Sequence, residues 1–313
     1  MTLHIFNPEN DMALADGKPG YTPPAIIQQM RRELYGLPYW WAEEDDQVWD
    51  GSAPLHLEAG DTIRPWGWSP ALKHQLQQAG VGETFLPSDE RLSQLRQLSH
   101  RQTAVEALRD IVGQHPELVG KSRLCRTWQE VQQTCEEWGE VLLKAPWSSS
   151  GKGLMKAHHP QAEAWTRRIL RRQGSVVAEQ WQERMADLAL EFWVEGGEVR
   201  YEGLSLFTTD EGGAYKSGLV LPEMEKMAML AQMVDPRTMA VVQRWWMERL
   251  PSVDYNGPVG IDMLITSEGK LHPCVEINWR MTMGLVSVWA ARQGRRGRLL
   301  VEYTYGHFSA EIE

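Results

Sequence analysis

Cysteine is scarce in this chain of 313 residues: only Cys125, Cys135 and Cys274, an odd number without CxxC spacing. That argues against a disulfide framework or a cysteine-built zinc site and fits a reducing, cytoplasmic setting. A basic excess is missing too. The 32 Lys and Arg stand against 42 Asp and Glu, a formal net charge of −10, which argues against broad binding to nucleic acid or an anionic membrane. No stretch approaches about 18 uninterrupted apolar residues, so no membrane span is expected. The start, Met1 to Pro8, lacks the basic region and apolar run of a signal peptide. Internal repeats and low-complexity segments are lacking, and no Ser-His-Asp or Cys-His arrangement stands out. What is abundant is tryptophan, 15 residues, whose large amphipathic ring suits a core or the wall of a groove. The length suffices for two domains or one large one.

Strand and helix alternate over residues 1–95, which predicts a small α/β layer with a parallel sheet. Residues 2–6 read as its first strand. The polar loop Asn7–Asp11 follows, where ligands bind in an open α/β sheet, although Asn10 or Asp11 suits equally well as a cap for the Met12–Ala15 turn. Thr22, as N-cap before Pro23, starts a helix through Leu34 that stops at Gly36. Pro38–Trp41 reads as a second strand, and Ser69-Pro70 opens a helix that Gly80 ends. Further on, Ser99 is placed to cap a helix over His100–Val112. Trp128–Trp138, 161–173, Glu223–Val234 and a helix capped by Asp235 also read as helical. The face formed by Arg167, Arg168, Arg171 and Arg172 suits solvent, and the methionines of 224–233 suit an adaptable core.

Residues 140–157, EVLLKAPWSSSGKGLMKA, read as strand, Ser/Gly loop, strand, with Lys144 alternating off the face of Val141 and Leu143. The loop is not a Walker A motif, because Pro146 stands at the first Gly position and Gly153 where Ser or Thr is needed. It is not a dinucleotide fingerprint either, since the third Gly position holds Lys156. Backbone N–H groups and Ser hydroxyls there suit a triphosphate; a plain hairpin tip has the same composition.

Residues 257–284 form the most telling stretch. Two strand-like runs flank Ser267-Glu268-Gly269, a three-residue hairpin loop that wants Gly at its αL position. Such a loop pairs Thr266 with Lys270, sets Asp262 opposite Cys274 and Glu276 opposite Gly260. Alternation then puts Ile261, Met263, Ile265, Leu271, Val275 and Ile277 on a core face and Asp262, Glu276 and Asn278 on the other. Two carboxylates and an amide oxygen are hard ligands suited to Mg²⁺. A polar strand face turned to water would show the same pattern.

From about residue 95 to 284 the chain resembles the ATP-grasp family, most nearly its D-alanine–D-alanine ligase-like branch. The likeness rests on four motifs in order: LSHRQTAVEAL (98–108), the Lys144 strand with its Ser/Gly loop, VVAEQWQERMADLALEFWV (176–194), and GIDMLITSEGKLHPCVEINWRMTMG (260–284). The resemblance implies an α/β (α+β) architecture, with a substrate-side domain at 1–95 and an ATP-grasp domain at 96–313. The latter would divide into units of about 122–182 and 183–313. It further implies that Arg101 and Lys144 bind the α- and β-phosphates. Ser148, Ser149, Ser150, Gly151 and Gly153 would form a flap over the triphosphate, and Glu179, Gln180 and Trp181 would line the adenine pocket. Asp187 would hold the ribose, with Glu191 as the competing choice. Asp262, Glu276 and Asn278 would hold one or two Mg²⁺, Mn²⁺ being an alternative ion, and Arg280 would meet the substrate carboxylate or acyl phosphate. Lys144 and Arg280 would thus be the catalytic cations. The implied activity joins a small-molecule carboxylate to an amine, or another nucleophile, through an acyl phosphate. A kinase-like phosphoryl transfer and a nucleotide-binding regulator without turnover are the competing expectations. No nucleic acid or membrane partner is expected, and a homodimer is the assembly that base rates favour.

Overall fold

The computed structural model describes residues 1–148, 153–210 and 212–313; Ser149, Ser150 and Gly151 of the Ser/Gly loop lie outside them. The described strands form three sheets. The first is parallel and contains β1 (Thr2–Ile5), β2 (Gln47–Val48) and β3 (Thr62–Pro65) in the order β2-β1-β3. Leu3 and Ile5 are buried and pack with Leu72 and Leu76 of the helix Pro70–Gln78. Ser69 caps that helix, its side chain accepting from the Leu72 N–H, with Pro in the first turn. Two expectations fail in this region. Residues Leu37–Trp40 form a short 3₁₀ turn, not a strand, because Pro38 has no N–H for a ladder and its fixed φ suits the start of a turn. The preceding helix spans Ala25–Glu33 with Pro24 as its N-cap, so Thr22 lies outside it.

The second sheet is antiparallel, with β4 (Ser122–Cys125), β5 (Val141–Lys144), β6 (Leu154–Lys156) and β7 (Val176–Gln180) in the order β4-β7-β5-β6. Val141 and Leu143 enter its core with Val131, Trp165, Ile169, Val176 and Ala178. The helices Trp128–Trp138 and Ala162–Gln173 supply Val131, Trp165 and Ile169. One step along β5, Lys144 falls on the other face.

The third sheet carries β8 (Arg184–Glu195), β9 (Glu198–Thr209), β10 (Tyr215–Val220), β11 (Gly257–Thr266), β12 (Leu271–Asn278), β13 (Gly297–Thr304) and β14 (His307–Ile312), ordered β12-β11-β8-β9-β10-β13-β14. Along β8, Leu188, Leu190, Phe192 and Val194 point into the largest core. The helices Gln102–Gln114 and Pro236–Arg249 close that core with Ala107, Leu108, Ile111, Val242 and Trp246. Ser99 does not cap the first of these helices; it closes the preceding one, Asp89–Leu98.

The β11–β12 hairpin departs from simple counting. Gly269 takes a φ of 74°, and Thr266 N–H donates to Lys270 O. Ile265 then pairs with Leu271 and Leu264 with His272. A bulge between Asp262 and Leu264 shifts the register, so Asp262 faces Glu276, not Cys274, and Gly260 faces Asn278, not Glu276. The shift amounts to two residues and keeps the acids on one face. Inside it the alternation breaks: Cys274 turns into the core, while Val275 lines the cleft. Three residues of β12, 273–275, stand against the single residue Met263 of β11, and such a bulge breaks the alternation locally.

Candidate functional site

The second and third sheets and the first loop of the parallel sheet enclose a cleft of about 310 Å³. At one end, β5 and β7 run side by side and Lys144 Nζ meets Glu179 Oε1 at 2.7 Å, both side chains being over nine-tenths buried. Trp181 and Gln182, just past β7, line the same end, and Lys156 Nζ lies 5.0 Å from the Trp181 ring centroid. Gln180 is not part of this lining; its side chain donates to Trp138 O. Alternation along β7 sends residues 179 and 181 one way and 180 the other, whereas Gln182 follows the strand end and has no periodic signal.

In the middle, Arg101 reaches from the start of the Gln102–Gln114 helix. Its guanidinium donates to Ala145 O and to Ser148 Oγ, both at 2.6 Å, and to Glu276 Oε1 at 2.7 Å. Gly153 closes the described edge of the Ser/Gly loop with a φ of +92°, and a Cβ there would sit 2.7 Å from Ser148 Cβ. No side chain fits that approach. Glu276 and Asp262 stand directly cross-strand. Burial, followed by the charge of Glu276, pushes the Asp262 carboxyl up to about 7. Two carboxylates that crowd each other this way suit a hard cation, so the donor set fits Mg²⁺. Asn278 does not present its oxygen: Nδ2 donates to Asp262 Oδ2 at 3.0 Å, and Oδ1 accepts from Arg280 at 2.8 Å. Its amide must turn over to serve as a third oxygen ligand.

At the far end, Arg280 is held in a fork by Asp11, with Nε and Nη2 at 3.0 and 2.7 Å from its oxygens, and Nη1 donates to Met281 O. Neither Asn10 nor Asp11 caps the short helix Asn10–Asp16, whose N-cap is Glu9 without a side-chain hydrogen bond; Asp11 holds Arg280 instead. Its partner lies 269 positions away, beyond the reach of any local pattern.

One face of β8 orders the cleft from end to end. Asp187 pairs with Leu264, Ala189 with Asp262 and Glu191 with Gly260. Asp187, held by Arg184 at 2.9 Å and by Thr209 at 3.2 Å, thus lies on the Glu179 side of the two acids. Glu191 lies on the Arg280 side, about 13 Å further along at 3.3 Å per residue. Asp187, not Glu191, shares the end formed by Trp181, Gln182 and Arg184. The family resemblance offered both acids, and only strand pairing separates their levels.

Glu191 is 1% exposed. It accepts from Thr282 Oγ1 at 2.9 Å, while its Oε1 has no partner among the described residues. Gly284 allows this packing, since a Cβ there would lie 2.1 Å from Glu191 Oε1. Burial pushes the carboxyl up to about 8; the Thr282 hydrogen bond opposes this and the charge of Asp262 adds to it. Between about 4.5 and 8 the folded chain keeps a proton that the unfolded chain has lost, so stability falls as pH rises through that window. Glu191→Gln should remove this slope. Thermal unfolding should show the variant more stable than the parent at pH 8 and equal to it near pH 4; parallel curves at both pH values would refute the assignment.

These sheets, their order and the cleft between them define the ATP-grasp fold. The solved structure of D-alanyl-alanine synthetase A from Vibrio cholerae superimposes with a TM-score of 0.53 at 14% identity, covering 95% of this chain and 94% of that one. A biotin carboxylase complex from Campylobacter jejuni superimposes at 0.55 and 11% identity, covering 98% and 77%. No family model matches the sequence. Among curated proteins, the [Butirosin acyl-carrier protein]--L-glutamate ligase of Niallia circulans is 26% identical over 148 residues, which is 46% of this chain and 34% of that protein. The match thus spans about a third of the relative's length. No described helix is long and apolar enough to cross a membrane.

Proposed function

We propose that the protein is an ATP- and Mg²⁺-dependent ligase that activates a carboxylate as an acyl phosphate and passes the acyl group to an amine or another nucleophile. The observation that carries this reading is the pairing of charges in one cleft. Arg101, Lys144 and Arg280 each hold a carboxylate there, and one of these, Glu276 on Arg101, stands cross-strand from a fourth acid, Asp262, at its centre. Phosphates would take the places of Glu276 and Glu179 on Arg101 and Lys144, leaving Glu276 to bind metal with Asp262. The fold supports it, as does the similarity to a protein named as a glutamate ligase.

In this reading a substrate carboxylate oxygen attacks the γ-phosphorus of ATP, the bond from that phosphorus to the bridging oxygen breaks, and ADP leaves. The nucleophile then adds to the acyl carbon, and phosphate departs as the nucleophile loses a proton. Lys144 and Arg101 neutralise the phosphate oxygens, and the described part of the Ser/Gly loop, at Ser148 and Gly153, borders them. Glu179 and Trp181 flank the base and Asp187 meets the ribose. Arg280, oriented by Asp11, faces the reacting carboxylate. No protein nucleophile is required, because alignment and charge neutralisation supply the rate. When bound, Mg²⁺ offsets the negative charge gathering on the transferred phosphoryl group. Residues 1–95 form the acceptor side, and 96–313 form the nucleotide clamp, with units of about 122–182 and 183–313.

The test is ADP release with Mg²⁺ against pools of small acids, amines and amino acids. ADP formed only when an acid and an amine are present together is the expected result. ADP with an alcohol-bearing acceptor alone would make the protein a kinase. ATP binding without ADP under every pool would make it a regulator.

A further inference from the structure

A second cavity, of about 240 Å³, adjoins the cleft and shares Trp66 and Arg280 with it. Its position follows from β8, where the face bearing Asp187, Ala189 and Glu191 continues to Trp193, two residues past the buried acid. Trp193 thus lies about 13 Å beyond the level of Asp262, on the side away from Lys144. Seven Trp and Tyr rings wall this space, among them Trp41, Trp66, Trp193, Trp279, Trp289 and Tyr255. Trp289 bridges two of them, with centroids 5.7 Å from Trp41 and 6.0 Å from Trp193. Rings packed as a plain core would leave no such space.

The charged side chains that line the cavity are of one sign. Arg64, Arg91 and Arg280 line it, and among the described residues no aspartate or glutamate does. Arg280 is held by Asp11 and Arg91 by Asp254. Arg64 is exposed, lies 5.4 Å from the Trp193 ring centroid and has no carboxylate partner among the described residues. The indole Nε1 of Trp279 is buried without a hydrogen-bond partner among those residues, a costly state for a donor unless a ligand or water meets it. At about 30 Å³ per liquid water molecule the space equals about eight waters, room enough for a body of one or two fused rings.

From these features we infer that the cavity is the subsite for the acyl donor, and that the donor is an organic acid with a flat apolar body. The body stacks among the tryptophans, and the carboxylate points to Arg280 and the phosphate end of the cleft. The inference rests on the ligase reading for the word donor; the cavity and its charge stand independently of it. Asp11 then holds Arg280 turned toward the incoming carboxylate, and Arg64 at the mouth favours entry of anions over cations.

Calorimetric titration of the full chain with 2-naphthylacetate, with 2-naphthylethylamine as its cationic counterpart and with acetate as the bodiless acid, tests this. Saturable binding of naphthylacetate, at least about tenfold tighter than either control, is expected. Trp193→Leu should weaken that binding about tenfold, Trp193→Phe should retain it, and Arg64→Ala should weaken the acid while leaving the amine unchanged. Equal binding of acid and amine, no saturable binding, or indifference to both Trp193→Leu and Arg64→Ala would overturn the inference. Thermal stabilisation by Mg·ATP, read on the same preparations, reports the nucleotide site separately. Stabilisation without naphthylacetate binding refutes the cavity proposal alone, and naphthylacetate binding without stabilisation refutes the ligase reading and with it the donor assignment.

Discussion

Lys144→Met combined with Glu179→Gln should abolish the stabilisation of the protein by Mg·ATP while leaving its unfolding temperature without nucleotide near that of the parent. Ligand at about a hundred times its dissociation constant stabilises a folded protein by about 2.7 kcal/mol, a shift that thermal unfolding resolves easily. The double variant is needed because the Lys144–Glu179 pair is 2.7 Å long and almost fully buried. Lys144→Ala alone leaves a buried carboxylate unpaired, at a cost of about 3–5 kcal/mol, and a weakened fold would blur the reading. Two neutral side chains of similar volume keep the packing and delete the charge that meets a phosphate. If the Mg·ATP shift survives in the double variant, Lys144 is not a phosphate ligand and the nucleotide lies elsewhere.

The second large effect concerns the acid pair. Asp262→Asn should cut turnover by at least about a thousandfold, because a carboxylate ligand to Mg²⁺ becomes a neutral amide while the phosphate charge remains. Nucleotide binding should fall far less, since Arg101 and Lys144 are untouched. Without ligands, the variant should melt higher than the parent at pH 8, as it no longer buries a carboxylate that burial, and then the charge of Glu276, push up to about 7. Glu276→Gln should lose turnover similarly but be destabilised, because Arg101, 8% exposed, loses its only carboxylate partner among the described residues. Measured together, opposite stability changes with the same loss of turnover separate a metal-binding role from a structural one. Equal turnover in parent and Asp262→Asn would remove this pair from the metal site.

Much of this molecule is governed by residues close together in the chain. Ser69 and Asp235 cap their helices through N–H groups two or three residues on. Gly269 makes the hairpin turn because only glycine takes its φ without strain, and period-2 alternation puts Lys144 off an apolar face and Asp262 with Glu276 on a polar one. Such features depend on torsions and neighbours within a turn or a strand, so the sequence by itself determined them, including the face on which a metal site would form. Its limits also have causes. The Pro38–Trp41 run has strand-like residues but no N–H at Pro38 to join a ladder, and Ser99 could cap one helix or close another until packing chose.

Tertiary structure alone decided which charges meet. Arg101 finds Glu276 across 175 positions and Arg280 finds Asp11 across 269. Both contacts arise where separate sheets close over one cleft, and no local periodicity encodes them. The bulge that sets Asp262 against Glu276 is a property of the strand pair and of neither strand alone. The pairing of β8 with β11 likewise put Asp187 and Glu191 on opposite sides of the acid pair. The many tryptophans, legible in the sequence as core or groove wall without a place, became a cavity because β8, the parallel sheet, the end of β12 and the helix after Thr282 bring seven Trp and Tyr rings around one space.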